Sequence, residues 1–231
     1  MKKYKHLFFD LDRTIWDFEK NAKETFSEIY DKYELKQKGV PSLEEFTKTY
    51  KYYNDLLWSY YREGKIKKEV LSIKRFKLTL NDFGINDVFL ATNIANDYVT
   101  ISPLKTNLFP HSREILEYLY PKYKLHLITN GFEEVQQKKI DVSDLRKYFK
   151  QIITSEEAGT KKPEKQIFLF ALSKAKAKIN ESLMIGDDLR VDILGAKSAG
   201  IDQVFVNYKN INHNNEITYE VNSLKKLEDI L

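Results

Sequence analysis

The chain has 231 residues, of which 42% are hydrophobic and 13% aromatic, enough for one sizeable core or for a core domain with a smaller second domain. Its 38 basic and 34 acidic residues give a net charge of only +4 without long runs of one sign, which argues against a nucleic-acid-binding protein. The absence of cysteine excludes disulfides, thiolate metal sites and a cysteine nucleophile, and because no window approaches the ~20 apolar residues of a membrane span, we expect a cytoplasmic protein.

The first predicted strand, residues 5–9, is followed by a long segment of helical character. Between residues 16 and 102 the pattern indicates helices near 18–34, 42–62, 67–82 and 87–99, and breaks lie near Gly39, Gly64 and Gly84. Because the segment is too long for a loop, we interpret 16–102 as an all-helical domain inserted after the first strand. Residues 1–15 and 103–231 then form the core domain.

Strands and helices alternate in the rest of the chain. Further strands are predicted at 124–128, 151–153, 182–185 and 203–206, and the helices between them at 110–121, 132–140, 164–176 and 189–199. Gly200 follows the last of these helices as a C-terminal cap. This alternation predicts an α/β fold with a doubly wound parallel sheet of the Rossmann-like kind.

Polar residues follow four of the predicted strands, where open parallel sheets bind their ligands. In chain order they are Asp10 and Asp12, Thr129 and Asn130, Lys162, and Asp187 and Asp188. Each has a simpler explanation when it is taken alone. The spacing of Asp10, Asp12 and Thr14 arises by chance in about one chain in twenty, Thr129-Asn130-Gly131 is typical of a turn, and Asp187-Asp188 of a helix cap. Their common position at strand ends favours a shared site.

The residue types at this edge point to phosphoryl transfer. Carboxylates ~4 Å apart repel by several kcal/mol at an effective dielectric of ~20, and Mg²⁺ prefers such oxygen ligands. Asp10 is the candidate nucleophile, because a carboxylate can form a phosphoaspartate, and Asp12 is the candidate acid and base. Phosphate oxygens would be bound by Thr129, by the backbone amides of Asn130 and Gly131, and by Lys162.

These motifs resemble those of the haloacid dehalogenase superfamily. The matching residues are Asp10-Leu11-Asp12-Arg13-Thr14, Thr129-Asn130, Lys162 and Gly186-Asp187-Asp188-Leu189-Arg190-Val191-Asp192. The resemblance implies that Asp10 is the nucleophile and that Asp12 is the general acid and base. It also implies a Mg²⁺ site formed by Asp10, Asp187 and the backbone carbonyl of Asp12, with Asp192 in support. The helical cap of that family corresponds to residues 16–102.

A closer resemblance, carried by residues 10–18 and by Leu57-Trp58, is to the noncanonical pyrimidine nucleotidase subfamily. It implies a 5′-nucleotidase that acts on pyrimidine nucleoside monophosphates. Asp12 favours phosphoester chemistry, whereas Arg13 departs from the small or acidic residue common at its position. A phosphatase or mutase for sugar phosphates or other small metabolites, and a binding module without turnover, remain as alternatives. The expected partner is a small phosphorylated metabolite, not a nucleic-acid polymer or a membrane, and the chain is expected to be a monomer or homodimer.

Overall fold

A computed structural model describes residues 4–231 of the chain. The chain forms two compact units: one runs up to Phe18 and continues with Thr106–Leu231, and the other is Glu19–Lys105. The inserted domain expected from the sequence had its borders at 15/16 and 102/103. Among the described residues, no helix combines the length and the apolar character that crossing a membrane requires.

The larger unit is built on a parallel sheet of six described strands. They are β1 (His6–Phe9), β2 (Lys124–Thr129), β3 (Phe149–Thr154), β4 (Ser182–Gly186), β5 (Asp202–Val206) and β6 (Tyr219–Val221). Their order in the sheet is β3-β2-β1-β4-β5-β6, and each neighbouring pair is parallel. β1 is therefore central, which places the residues that follow it at the middle of the carboxyl edge.

Helices of the described residues alternate with these strands after residue 105, and four further α-helices lie before that residue. They are α1 (Phe18–Lys32), α2 (Leu43–Arg62), α3 (Lys68–Asp82), α4 (Val88–Ile101), α5 (Ser112–Leu119), α6 (Glu133–Val142), α7 (Ser155–Ala158), α8 (Lys165–Ala175) and α9 (Gly195–Ser198). Short 3-10 helices occupy Ser102–Leu104, Arg146–Tyr148, Ile179–Glu181 and Leu224–Asp229. The predicted α/β fold with a parallel sheet is confirmed.

Both faces of the sheet are covered by apolar side chains. Because successive residues of a strand point to opposite faces, Leu7 and Phe9 of β1 enter one hydrophobic core and Phe8 enters the other. Ile167 and Phe168 of α8 belong to the second core. This explains why the central strands read as continuous apolar runs, as buried parallel strands do.

Two elements differ from the sequence prediction. β6 was not predicted: it has only three residues and follows an irregular segment. The predicted helix 189–199 begins as a π-helix, Leu189–Leu194, before α9, and the Asp188 side chain accepts hydrogen bonds from the amides of Arg190 and Val191 at its start. α9 ends at Ser198 with Ala199 as its C-cap residue, and Gly200 follows with a φ of +80°, the left-handed conformation of a glycine that terminates a helix.

The smaller unit contains α2, α3, α4 and all of α1 after Phe18. Its interior is aromatic: the ring of Phe26 lies 4.5–6.4 Å, centroid to centroid, from those of Phe46, Tyr50, Phe76 and Tyr98. These rings come from all four helices, so the unit has a core of its own. The caps of α2 and α4 are Ser42 and Asp87, whose side chains accept amide hydrogen bonds.

Candidate active site

Asp10 follows β1 directly and is still tied to the sheet, because its amide donates to the Ile185 carbonyl at 2.9 Å. The Nζ of Lys162 lies 2.6 Å from Asp10 Oδ1, 2.6 Å from Asp192 Oδ1 and 2.8 Å from the Ile128 carbonyl. All three side chains are buried in the protein. An ammonium group has three donors, so each N–H of Lys162 has a partner. To donate a hydrogen bond to phosphate, as predicted, Lys162 would have to give up one of these three bonds. Its positive charge attracts a phosphate group without giving up any of them.

A second carboxylate group approaches Asp10 from β4. Asp187 lies just after this strand, and its Oδ1 accepts a hydrogen bond from the Thr14 hydroxyl at 3.0 Å. One carboxylate oxygen from each of Asp10, Asp187 and Asp192 can be chosen so that all lie within 4.8 Å of one another; we call these three residues the acidic cluster. Asp192 is held further by the Asp188 amide, 3.2 Å from its Oδ2.

Burial and repulsion raise the proton affinity of the acidic cluster. Burial raises the pKa of Asp10 to about 7, although Lys162 opposes the shift. Burial also raises the pKa of Asp187, with repulsion from Asp10 as the next cause, and burial raises that of Asp192. Burial alone would lower the pKa of Lys162, but its two carboxylate neighbours outweigh this and hold it above its usual range. Lys162 contacts two of the three carboxylates, Asp10 and Asp192, and the oxygen donor set of the acidic cluster fits a hard divalent ion.

Asn130 holds the backbone of Lys162 in position. The Asn130 side chain donates to the Lys162 carbonyl and accepts from the Lys162 amide, both at 2.8 Å. This two-way contact joins the loop after β2 to the loop before α8. The Asn130 side chain is therefore a support for Lys162, and the contact of its backbone amide with phosphate stays a prediction. The Gly131 amide, which was also predicted to bind phosphate, donates instead to Thr129 Oγ1 at 3.1 Å.

Asp12 is held apart from the acidic cluster by two side chains of α6. Its Oδ2 lies 2.6 Å from Gln136 Nε2, and its Oδ1 lies 2.5 Å from Lys139 Nζ. The same Gln136 Nε2 lies 3.0 Å from the hydroxyl of Thr129. The structure therefore brings Asp12 and Thr129 together through Gln136, whereas Asp10, Lys162 and Asp187 meet around the acidic cluster.

Sequence reasoning assigned no role to Gln136 or Lys139. Both are buried, and both lie on α6, which is preceded by the buried N-cap residue Phe132. Positions 132, 136 and 139 lie on one helical face. The sequence signal for a role of Gln136 and Lys139 was therefore two polar residues on a face where apolar residues are expected. Thr14, part of the first motif, was quoted without a role and bonds to Asp187.

Comparisons with known proteins agree on one family. A family model described as haloacid dehalogenase-like hydrolase matches residues 7–206. YjjG of Escherichia coli K12, a pyrimidine 5′-nucleotidase, is 31% identical over 99% of this chain and 98% of its own length. PynA of Streptococcus pneumoniae, also a pyrimidine 5′-nucleotidase, is 30% identical over 99% and 95%. A glyceraldehyde 3-phosphate phosphatase of Methanothermobacter thermautotrophicus is 29% identical over 88% and 85%.

The same agreement holds in three dimensions. The crystal structure of YfnB of Bacillus subtilis, a protein named as a HAD-hydrolase and bound there to magnesium, superposes with a TM-score of 0.89. The alignment covers 99% of each chain at 27% identity.

Proposed function

Because the chain belongs to the haloacid dehalogenase-like hydrolase family, we propose that it is a Mg²⁺-dependent phosphatase that forms a phosphoaspartate on Asp10. One observation carries the proposal: Asp10 lies in the acidic cluster beside Lys162, whereas Asp12, two residues on, is held separately by two donors of α6. These different contacts support attack by Asp10 and proton transfer by Asp12.

Hydrolysis proceeds in two displacements at phosphorus. A carboxylate oxygen of Asp10 attacks, the ester P–O bond breaks, and the leaving alkoxide takes a proton from Asp12. A water molecule then attacks the phosphoaspartate, Asp12 takes the proton of that water, and the Asp10 carboxylate leaves as phosphate is released. The charge of Lys162 and the hydroxyl of Thr129 stabilise the phosphoryl oxygens during both steps.

The ligands proposed for Mg²⁺ are the carboxylates of Asp10 and Asp187 and the backbone carbonyl of Asp12. When bound there, the ion supplies positive charge beside the phosphoryl oxygens. Asp192 is proposed as a support, because its two oxygens already bond to Lys162 and to the Asp188 amide. Thr14 orients the Asp187 carboxylate through its hydroxyl.

The proposed substrates are pyrimidine nucleoside 5′-monophosphates. The two pyrimidine 5′-nucleotidases among the relatives align over nearly the whole chain, and this supports the assignment. The relative that acts on glyceraldehyde 3-phosphate aligns over 88% of the chain, which makes a small sugar phosphate the second candidate.

A phosphate-release panel with Mg²⁺ tests both parts of the proposal. We expect UMP and CMP to give higher kcat/KM than AMP or glyceraldehyde 3-phosphate, EDTA to abolish release and added Mg²⁺ to restore it. Asp10→Asn should reduce kcat by at least about 10³-fold, because an amide cannot replace the nucleophile. Pyrimidine nucleotides among the poorest substrates would refute the nucleotidase assignment alone, whereas unchanged release by Asp10→Asn would refute the phosphoaspartate mechanism.

A further inference from the structure

We infer that Gln136 is a positioning residue that makes the Thr129 hydroxyl an obligatory hydrogen-bond donor to the phosphoryl group and fixes Asp12 beside it. The inference rests on the proposed phosphatase function. It concerns a residue outside the strand-end motifs, one helical turn into α6.

The hydroxyl oxygen of Thr129 accepts two hydrogen bonds. A hydroxyl has two acceptor lone pairs and one proton. The Gly131 amide donates to Thr129 Oγ1 at 3.1 Å, and Gln136 Nε2 donates to the same oxygen at 3.0 Å. Both lone pairs are therefore used, and within residues 4–231 no acceptor takes the hydroxyl proton. The proton remains for a ligand that accepts hydrogen bonds, and a phosphoryl oxygen is such an acceptor.

The orientation of the Gln136 amide follows from its second contact. Its Nε2 lies 2.6 Å from Asp12 Oδ2, and the ionised carboxylate of Asp12, as it stands before it takes up a proton, only accepts hydrogen bonds. The nitrogen must therefore face Asp12, because the amide oxygen would be repelled there. One hydrogen of Nε2 goes to Asp12 and the other to Thr129, so a single side chain sets the geometry of both.

The other end of Gln136 shows that packing does not explain the residue. Gln136 is 1% exposed, and its Oε1 is buried without a hydrogen-bond partner among the described residues. An unsatisfied buried acceptor destabilises a fold, and an apolar side chain of similar size would avoid it. A leucine would pack at this position but could not donate to Thr129 and Asp12.

Lys139 completes the arrangement at Asp12. Its Nζ lies 2.5 Å from Asp12 Oδ1 and 3.9 Å from the centroid of the Trp16 ring. Asp12 thus keeps one fixed donor when Gln136 is replaced. The loss of Gln136 should consequently be felt mainly at Thr129, which keeps only the Gly131 contact.

A double-mutant cycle tests the inference. Gln136→Leu should lower kcat/KM for the best phosphomonoester by about 10- to 100-fold, mostly through kcat, because a misdirected donor stabilises the transition state poorly. In the Thr129→Val background the same replacement should cost less than about threefold, because its target is gone. The matched control is Gln137→Leu, since Gln137 bonds to Arg146 instead and should leave kcat/KM unchanged.

Two further measurements separate positioning from structure. The isosteric Gln136→Glu should be at least as impaired as Gln136→Leu, because its carboxylate repels Asp12, although it fills the same volume. Calorimetric titration of inorganic phosphate with Mg²⁺ present should show about 10-fold weaker binding to Gln136→Leu than to the wild type.

Each outcome decides the inference. Wild-type kcat/KM and phosphate affinity in Gln136→Leu, or losses that multiply fully in the double variant, would overturn it while phosphate release by the wild type upholds the proposed function. A wild-type chain that neither hydrolysed phosphomonoesters nor bound phosphate would overturn both.

Discussion

Gly186 shows how closely a single residue is constrained at the acidic cluster. A Cβ at this position would lie 2.4 Å from Asp192 Oδ2 and 2.6 Å from its Cγ. Asp192 cannot move aside freely, because Lys162 Nζ and the Asp188 amide hold its two oxygens. Only glycine fits the end of β4 while Asp192 keeps this position.

We expect Gly186→Ala to lower the free energy of unfolding by about 1–3 kcal/mol through overpacking, and to lower kcat because Asp192 and Lys162 shift together. Urea denaturation and phosphate release measure the two effects. Gly64→Ala is a useful comparison: nothing lies within 4 Å of its added Cβ, but its φ is +71°, so it should cost about 1 kcal/mol and leave kcat unchanged. Wild-type stability and kcat in Gly186→Ala would contradict the steric argument.

The separate residues of the site were predictable to different degrees. Asp10 and Asp187 directly follow apolar strands and Thr129 is the last residue of one, so the rule that ligands bind at the carboxyl edge was enough to predict that they lie near one another. Gln136 and Lys139 were not predictable in the same way. Their position on the face of α6 where apolar residues are expected was a weak signal, because a polar residue on a helix is usually solvated. The contacts with Asp12 then show that both side chains point inward.

Among the elements, β1 and β2 bury a pair of histidines that the proposed reaction does not use. His6 Nδ1 lies 3.0 Å from His126 Nε2, and the two rings are stacked. Burial, followed by the charges of His6 and Lys124, lowers the pKa of His126 to about 3. Burial also lowers the pKa of His6, with Lys124 assisting and Glu181 opposing. The folded protein therefore keeps both rings neutral.

This pair makes stability depend on pH. A histidine of the unfolded chain has a pKa of ~6.5, whereas that of His126 in the folded protein is about 3. The contribution of His126 to the free energy of unfolding is therefore fully present above pH ~6.5 and is lost as the pH falls toward 3. We expect His126 alone to lower the free energy of unfolding by about 2 kcal/mol between pH 7.5 and pH 5. His126→Leu should remove that part of the slope in urea denaturation. An unchanged slope in His126→Leu would refute this role.

The elements also differ in how far sequence could predict them. The strands β1, β2, β4 and β5 were recognisable because both faces are buried, which produces uninterrupted apolar runs. Among the described residues β6 pairs only with β5 and contains one buried residue, Val221, so its sequence pattern carries little signal. The π-helix at Leu189–Leu194 depends on Asp188 and Asp192, whose hydrogen bonds to the backbone no periodicity reveals.

For the whole molecule, the main consequence of two compact units is that each has its own apolar interior. The larger unit packs two cores against the faces of its sheet. The smaller unit packs aromatic rings between four helices and also buries Arg75, whose guanidinium donates to Asn54 Oδ1 at 3.0 Å and lies 5.1 Å from the Tyr98 ring centroid. We therefore expect that a substitution in one interior destabilises its own unit without destabilising the other.

Phe26 offers the clearest test of this independence, because it lies at the centre of the aromatic interior and is 1% exposed. Phe26→Ala should destabilise the smaller unit by about 3–5 kcal/mol through the cavity that it leaves. Hydrogen exchange followed by mass spectrometry should then show faster exchange in α1–α4 while the amides of β1, β2 and β4 keep their protection. Tyr52→Ala, at a side chain that is 65% exposed, should change neither. If hydrogen exchange in β1, β2 and β4 became faster to the same extent, the two units would unfold as one cooperative structure. The independent stability of the two interiors would then be refuted.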